Sequence, residues 1–165
     1  MHVSPLEEYA LRCAMQLAKV QPEEPIPASK IAESEGISVE YVSKIMYLFR
    51  RAGIVESTRG VQGGFRLTRN PGKLAVKEIF DSLQHNKKKF EEDFCNQFAG
   101  QASQCVHLNC CSIRPVWQIL SSYFDEMLTG LTLADLMAPS ADIVRGRIQE
   151  LALQKAQALK VGGVI

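Results

Sequence analysis

The chain has 165 residues, 46% hydrophobic and 22% charged, with a formal net charge of +1 at pH 7. These are the proportions of a soluble globular protein with room for one core and an appended element, and they exclude two independent large domains. No apolar run approaches the roughly 20 residues that span a bilayer, so no membrane segment is expected. The opening Met1-His2-Val3-Ser4-Pro5-Leu6-Glu7-Glu8 has acids where a secretory leader is basic, which predicts a cytoplasmic protein whose thiols are reduced or metal-bound. The small net charge hides an asymmetry. Residues 1–89 hold 14 Lys and Arg against 10 Asp and Glu, whereas residues 90–165 hold 5 against 8. Lys44, Arg50, Arg51, Arg59, Arg66, Arg69 and Lys73 share their stretch with Glu56 alone, a density of positive charge that attracts a phosphate backbone.

Leu6, Ala10, Cys13, Ala14 and Leu17 recur at helical spacing, so residues 5–20 are predicted to form a helix with one buried stripe and Cys13 packed inside it. Pro22, Pro25 and Pro27 break it. Residues 28–35 read as a short helix stopped by Gly36. Ser38 can cap the next, whose apolar face is Val42, Ile45, Met46 and Phe49 and which Gly53 ends. Two helices joined by Glu35-Gly36-Ile37 have the proportions of a helix-turn-helix, the second being the recognition helix. Residues 54–58 and 65–68 are β-prone and flank Arg59-Gly60-Val61-Gln62-Gly63-Gly64, whose glycines permit the positive φ values of a tight hairpin. The fold class is therefore mainly α, an α+β winged helix-turn-helix. Asn70-Pro71-Gly72 turns the chain out of the wing, residues 76–83 read as a further helix, and His85-Asn86-Lys87-Lys88-Lys89 as a solvated linker.

A cysteine-rich loop follows, over residues 91–111. After it, Ile113, Val116, Trp117, Leu120, Phe124, Met127, Leu128 and Leu131 repeat at intervals of three and four. One helix cannot bury so long a seam alone, so pairing with its counterpart in a second subunit is expected, with packing on its own domain as the alternative. Thr132-Leu133-Ala134-Asp135 has the capping-box pattern for a short helix over 133–137. Residues 141–160 read as a helix with a weaker stripe of Ile143, Ile148, Leu151 and Leu153.

On the recognition helix the face opposite the core carries Glu40, Ser43, Lys44, Tyr47 and Arg51. Residues at the start of such a helix reach base edges in the major groove, where Ser takes either hydrogen-bonding role and Glu accepts from cytosine N4. Ser38, Glu40, Tyr41, Ser43 and Lys44 are thus expected to contact bases or phosphates, with Arg50 and Arg51 on the same cationic surface. Arg59, at the root of the wing, is placed to enter a minor groove. A winged helix that binds a protein instead is the alternative. The loop spaces its thiols as Cys95-x9-Cys105-x4-Cys110-Cys111 and lacks the paired Cys-x2-4-Cys knuckles of structural zinc. Iron–sulfur clusters accept irregular spacing, and three cysteines with one ligand from elsewhere would complete their ligation.

Tyr9-Ala10-Leu11-Arg12, Ile37-Ser38-Val39-Glu40-Tyr41, Ala52-Gly53-Ile54-Val55, the wing from Arg59 to Phe65, Cys111-Ser112-Ile113-Arg114-Pro115-Val116-Trp117 and Leu131-Thr132-Leu133-Ala134-Asp135-Leu136 occur in order around the cysteine loop. Over residues 3–138 the chain resembles the IscR/NsrR-type winged-helix iron–sulfur transcription repressors; residues 139–165 have no counterpart. The resemblance implies a homodimer on palindromic double-stranded promoter DNA, with one iron–sulfur cluster, [4Fe–4S] or [2Fe–2S], in each subunit. It implies that Cys95, Cys105 and Cys111 hold the cluster, since Cys111 stands six residues before Trp117 as the family's last cysteine does. Cys110 is then an additional thiol that could substitute for its neighbour. One branch of the family has a histidine three residues after the last cysteine, where this chain has Arg114. The other uses an acid just before the first-helix tyrosine, supplied across the dimer, and Glu8 stands there. The alternative for Glu8 is a surface pair with Arg12 at i, i+4. His107 is the reserve ligand.

The organisation expected is a DNA-binding domain at 1–84, a cluster-binding loop at 85–111, a dimerisation helix with a short following helix at 112–138 and a helical extension at 139–165. The expected function is a dimeric repressor whose cluster senses redox state, iron, oxygen or nitric oxide. No nucleophile–base pair or nucleotide-binding glycine motif appears, so an enzyme is not expected. Two alternatives stand beside it: the same fold sensing oxidation at Cys105, Cys110 or Cys111 without a cluster, and an iron–sulfur redox protein that does not bind DNA.

Overall fold

The computed structural model describes residues 3–20, 24–60, 63–83, 101–102, 105–107 and 110–162. Cys95 and the lysine run at 87–89 lie outside the described residues. Ser4 opens α1 (Pro5–Ala18) with a reciprocal cap: its hydroxyl accepts from the Glu7 N–H at 3.3 Å, while the Glu7 carboxylate accepts from the Ser4 N–H at 2.7 Å. The helix buries Ala10, Cys13, Ala14 and Leu17. Next, α2 (Ala28–Glu35) ends at Gly36, whose φ of +66° suits a residue without a side chain. Ser38 Oγ then accepts from the Tyr41 N–H at 3.1 Å and starts α3 (Val39–Arg51), which buries the four residues its pattern predicts and Leu48 as well.

Strands β1 (Val55–Thr58) and β2 (Gly64–Leu67) form the antiparallel wing, with Val55 opposite Leu67 and Thr58 opposite Gly64. A pair of N–H···O bonds of 2.9 Å between Ile26 and Phe65 fastens this hairpin to the segment before α2. The described wing glycines divide their work. Gly60 alone has a positive φ, +118°, whereas Gly64 is needed for space, because a Cβ there would lie 2.4 Å from the Ile26 carbonyl.

A 3-10 turn (Pro71–Lys73) leads into α4 (Val76–Leu83). Beyond the cysteine loop come α5 (Arg114–Gly130), α6 (Leu133–Leu136) and α7 (Ala141–Gly162). The chain returns to the winged helix just before α6. The Val76 N–H donates to Leu131 and the Leu133 N–H to Leu74, both at 2.8 Å, and Leu133 is fully buried in the core with Phe49, Ile45, Leu74 and Ile79. Thr132 and Asp135 form the expected capping box, and the Thr132 backbone N–H is the main cause holding the Asp135 carboxyl below the ordinary carboxylate value.

The long seam is divided along α5. Phe124, Met127 and Leu128 are half-buried in the part that packs on α4 and α7, whereas Ile113, Val116, Trp117 and Leu120 are exposed. Lys77 of α4 bridges Asp81 and Asp125 at 3.3 and 3.2 Å, tying α4 to α5. On α7 the stripe differs from expectation: Val144, Arg147 and Leu151 are half-buried, while Ile143, Ile148 and Leu153 are exposed. The reason is a notch on α5, where a Cβ at Gly130 would come 2.6 Å from Leu151 Cδ2. Leu151 occupies that space and sets the face α7 presents.

Gly64→Ala drives a methyl into the Ile26 backbone and is expected to cost about 1–3 kcal/mol, with a fall in melting temperature of roughly 5 °C. Gly60→Ala meets open space and bears only the strain of its φ, about 1 kcal/mol. Thermal melts in which Gly60→Ala is the more damaging change would refute this division.

Candidate functional site

Two surfaces carry the residues singled out by sequence. On α3, Ser38, Glu40, Ser43, Lys44, Arg50 and Arg51 are all exposed, as is Arg59 at the wing root. Tyr41 is placed differently: it is half-buried, and its ring meets the edge of Tyr9 at 5.8 Å between centroids and 86° between planes. Two of the seven cations between positions 44 and 73 are already engaged. Arg66 pairs with Glu56 at 2.7 Å and Arg69 with Glu78 at 2.5 Å. Lys44, Arg50, Arg51, Arg59 and Lys73 have no ion pair among the described residues, and the first four of them gather positive potential on α3 and the root of the wing.

Behind α3 lies a corner that sequence reasoning did not identify. The Glu35 side chain is 5% exposed; Arg12 Nε donates to it at 2.6 Å, and the Gln16 amide donates to its other oxygen. The Arg12 guanidinium, its pKa raised chiefly by the Glu35 hydrogen bond, also lies 5.4 Å from the Tyr9 ring centroid. The surface pair between Glu8 and Arg12 is therefore not formed. A carboxylate nearly out of water draws the available cation more strongly than an exposed one does, and Glu8 is left exposed without a side-chain hydrogen bond or ion pair among the described residues.

The second surface is the end of the cysteine loop. Cys105 and Cys111 are half-buried and Cys110 is exposed, all as free thiols. The Cys110 N–H donates to the His107 carbonyl at 3.1 Å, closing a turn, and His107 itself is exposed. The Arg114 N–H donates to Cys111 Sγ at 3.3 Å, which sets that sulfur at the positive end of α5. Half-exposed sulfur with a backbone N–H directed at it is a fitting donor for an iron–sulfur cluster. Among the described residues, which do not include Cys95, no three His, Cys, Asp or Glu side chains converge. Cys13 is of another kind: it is fully buried, and burial pushes its thiol up to about 12.

The Rrf2 family, described as "Iron-dependent Transcriptional regulator", matches residues 4–139. The chain belongs to the Rrf2 family. It is 30% identical over 129 residues to the HTH-type transcriptional regulator IscR of Aliivibrio salmonicida, covering 78% of this chain and 73% of that one. To the HTH-type transcriptional regulator NsrR of Geobacillus kaustophilus it is 30% identical over 143 residues, covering 87% and 94%. Its fold is similar to that of T. potens IscR, with a TM-score of 0.65 and 28% identity over 83% of this chain and 86% of that one. CymR, the global cysteine regulator of B. subtilis, gives a TM-score of 0.61 and 25% identity over 82% and 95%. This Rrf2 protein is accordingly a DNA-binding transcriptional regulator and not an enzyme. Membership sets aside the reading of a redox protein that does not bind DNA. Among the described residues no helix is long and apolar enough to cross a membrane.

Two measurements check this site. In metal-free protein near pH 8, an alkylating reagent should modify Cys110 readily and spare Cys13 until the chain is unfolded, as mapped by peptide mass; early labelling of Cys13 would contradict its burial. Because the Cys13 value is raised in the folded state, its contribution to stability is present below the ordinary thiol value of 9.0 and is lost as pH rises towards 12. Glu35→Ala removes the acceptor of Arg12 and Gln16 and should lower the unfolding free energy by about 1–2 kcal/mol in a urea titration, Arg12 being partly solvated. An unchanged midpoint would show that the corner contributes nothing.

Proposed function

We propose that this chain is a dimeric repressor acting in the cytoplasm, which binds a palindromic promoter site and responds to redox state, iron, oxygen or nitric oxide through an iron–sulfur cluster in each subunit. The observation that carries the reading is the run from the cysteine turn directly into an uncovered apolar helix face. Cys110 and Cys111 are followed by Ile113, Val116, Trp117, Ile119 and Leu120, which are 41–60% exposed. Burying such surface is favoured by about 25 cal/mol per Å², and the same face of a second copy would cover it. A partner docked along α5 then stands beside the thiols.

In this reading Cys95, Cys105 and Cys111 of one subunit and Glu8 of the partner subunit hold the cluster, with Cys110 and His107 in reserve. Support comes from the free, half-exposed thiols, from the exposed Glu8, and from the family's description as iron-dependent. A bound cluster of either type, [4Fe–4S] or [2Fe–2S], supplies a centre whose oxidation state and integrity follow iron supply and oxidants. The rest falls to the chain. The Arg114 N–H orients Cys111 Sγ, and the Glu8 carboxylate, a hard ligand among soft ones, exchanges readily. Tyr9, the next residue, rests on Tyr41 in the first turn of α3, so a displacement at Glu8 reaches the recognition helix. Regulation follows if the two positions of α3 bind DNA with different affinity. Ser38, Glu40, Tyr41, Ser43 and Lys44 serve the major groove, Arg50 and Arg51 its phosphates, and Arg59 the minor groove. Residues 1–84 thus bind DNA, 85–111 hold the cluster, 112–138 dimerise and 139–165 extend the chain.

A second reading is favoured by the exposure of Cys110 beside Cys111 and by the likeness to CymR: a cluster-free regulator in which Cys105, Cys110 or Cys111 is oxidised. Anaerobic purification separates the two. The cluster reading expects iron, sulfide and visible absorption in the wild type, their loss in Cys111→Ala, and a more rapidly bleached centre in Glu8→Ala. An iron-free wild type that still represses and answers an oxidant would establish the second reading instead.

A further inference from the structure

Glu40, Lys44, Tyr47 and Arg51 follow one another along α3 at intervals of four, three and four, which places them in a single stripe on its exposed face. Acidic, basic and aromatic side chains thus share this face, and Tyr47 is 52% exposed on it. Its hydroxyl has no hydrogen-bond partner among the described residues, and its ring makes one notable contact: the Arg51 guanidinium carbon lies 5.8 Å from its centroid. Arg51, unlike Arg12, Arg66 and Arg69, has no ion pair among the described residues.

The length of α3 gives this contact a purpose. At 1.5 Å per residue, Arg51 stands about 20 Å along the axis from the Ser38 cap, further than the roughly 12 Å width of a major groove. A helix whose first turns lie among base edges therefore carries its last turn out over the phosphates at the groove margin. An arginine loose on a helix end must give up many rotamers to meet a phosphate. One laid on an aromatic face has already done so, and its planar fork keeps its donors for the anion. We infer that Tyr47 is a positioning residue for DNA binding, a ring platform that holds the Arg51 guanidinium against a backbone phosphate at the edge of the recognition site. The inference rests on α3 being the helix that enters the groove.

A double-mutant cycle on the full chain tests it. The probe is a fluorescein-labelled duplex of the sequence that the wild-type protein enriches from a random pool, read by anisotropy over a range of salt concentrations. Tyr47→Ala and Arg51→Ala should each weaken binding roughly tenfold and flatten the dependence of log K on log salt by about 0.9 for each phosphate no longer neutralised, about 1.8 for a dimer carrying the change twice. The double variant should bind no worse than Arg51→Ala alone, and Tyr47→Phe, which keeps the ring, should match the wild type. Melting temperatures should not move, since both side chains are exposed. A Tyr47→Ala variant with the wild-type salt slope would overturn the inference, as would additive losses in the double variant or a Tyr47→Phe variant as weak as Tyr47→Ala. If Lys44→Ala and Ser43→Ala bind as the wild type does, the helix assignment fails and the inference with it; if they weaken binding while Tyr47→Ala does not, only the platform fails.

Discussion

Glu35 is the last residue of α2, one position before the left-handed glycine of the turn, and its carboxylate is almost wholly withdrawn from water. A charge in that position must be met by charge and by directed hydrogen bonds, and Arg12 and Gln16, one turn apart on α1, supply both. Apolar contacts between helices tolerate sliding, whereas a carboxylate held by two donors does not. This corner therefore gives the packing of α1 against the helix-turn-helix a directional constraint. Since α1 also packs on α4 and α6, this corner adds a directional tie between the helix-turn-helix and the rest of the domain to the core packing of α3 itself. Tyr9 on Tyr41 adds a second point of attachment, at the first turn of α3.

Most of the fold could be read from local signals. Gly36 and Ser38 set the end of α2 and the start of α3, and the apolar spacing of Val42, Ile45, Met46 and Phe49 gave α3 the buried face it has. The wing followed from its glycines, although only Gly60 uses the conformational freedom that suggested them, and Gly64 answers to the Ile26 backbone instead. Contacts between distant parts of the chain were not legible. Arg12 and Glu35 are 23 positions apart, and nothing near either one announces the other. For the same reason nothing near Tyr41 announces its contact with Tyr9 of α1, which leaves it half-buried. The apolar residues of α7 are distributed around the helix, so the choice of Val144 and Leu151 over Ile143 and Leu153 belongs to the neighbours.

Charge shows the same limit within the candidate site. A sum over residues 44–73 counts every cation alike. In the structure Glu56 and Arg66 lie directly opposite each other across the wing and Arg69 reaches Glu78 on α4, so these arginines brace the hairpin. The cations left unpaired among the described residues are fewer and better grouped than the sum suggested. The thiols are sorted likewise by surroundings that sequence only partly reveals. Cys13 is sealed by the packing its stripe predicted, while Cys111 meets an N–H whose direction depends on where α5 begins.

The notch at Gly130 has a further consequence for the part of the chain beyond the family match. A helix with a weak apolar stripe could lie along α5 in many registers, each burying much the same area. Leu151 fits opposite a missing side chain, and α5 offers that gap at one height. The missing side chain at Gly130 therefore acts as an address, favouring the advance of α7 along α5 that brings Leu151 opposite it. A larger residue at that position would turn the Leu151 methyls out of the gap and leave α7 without this point of fit.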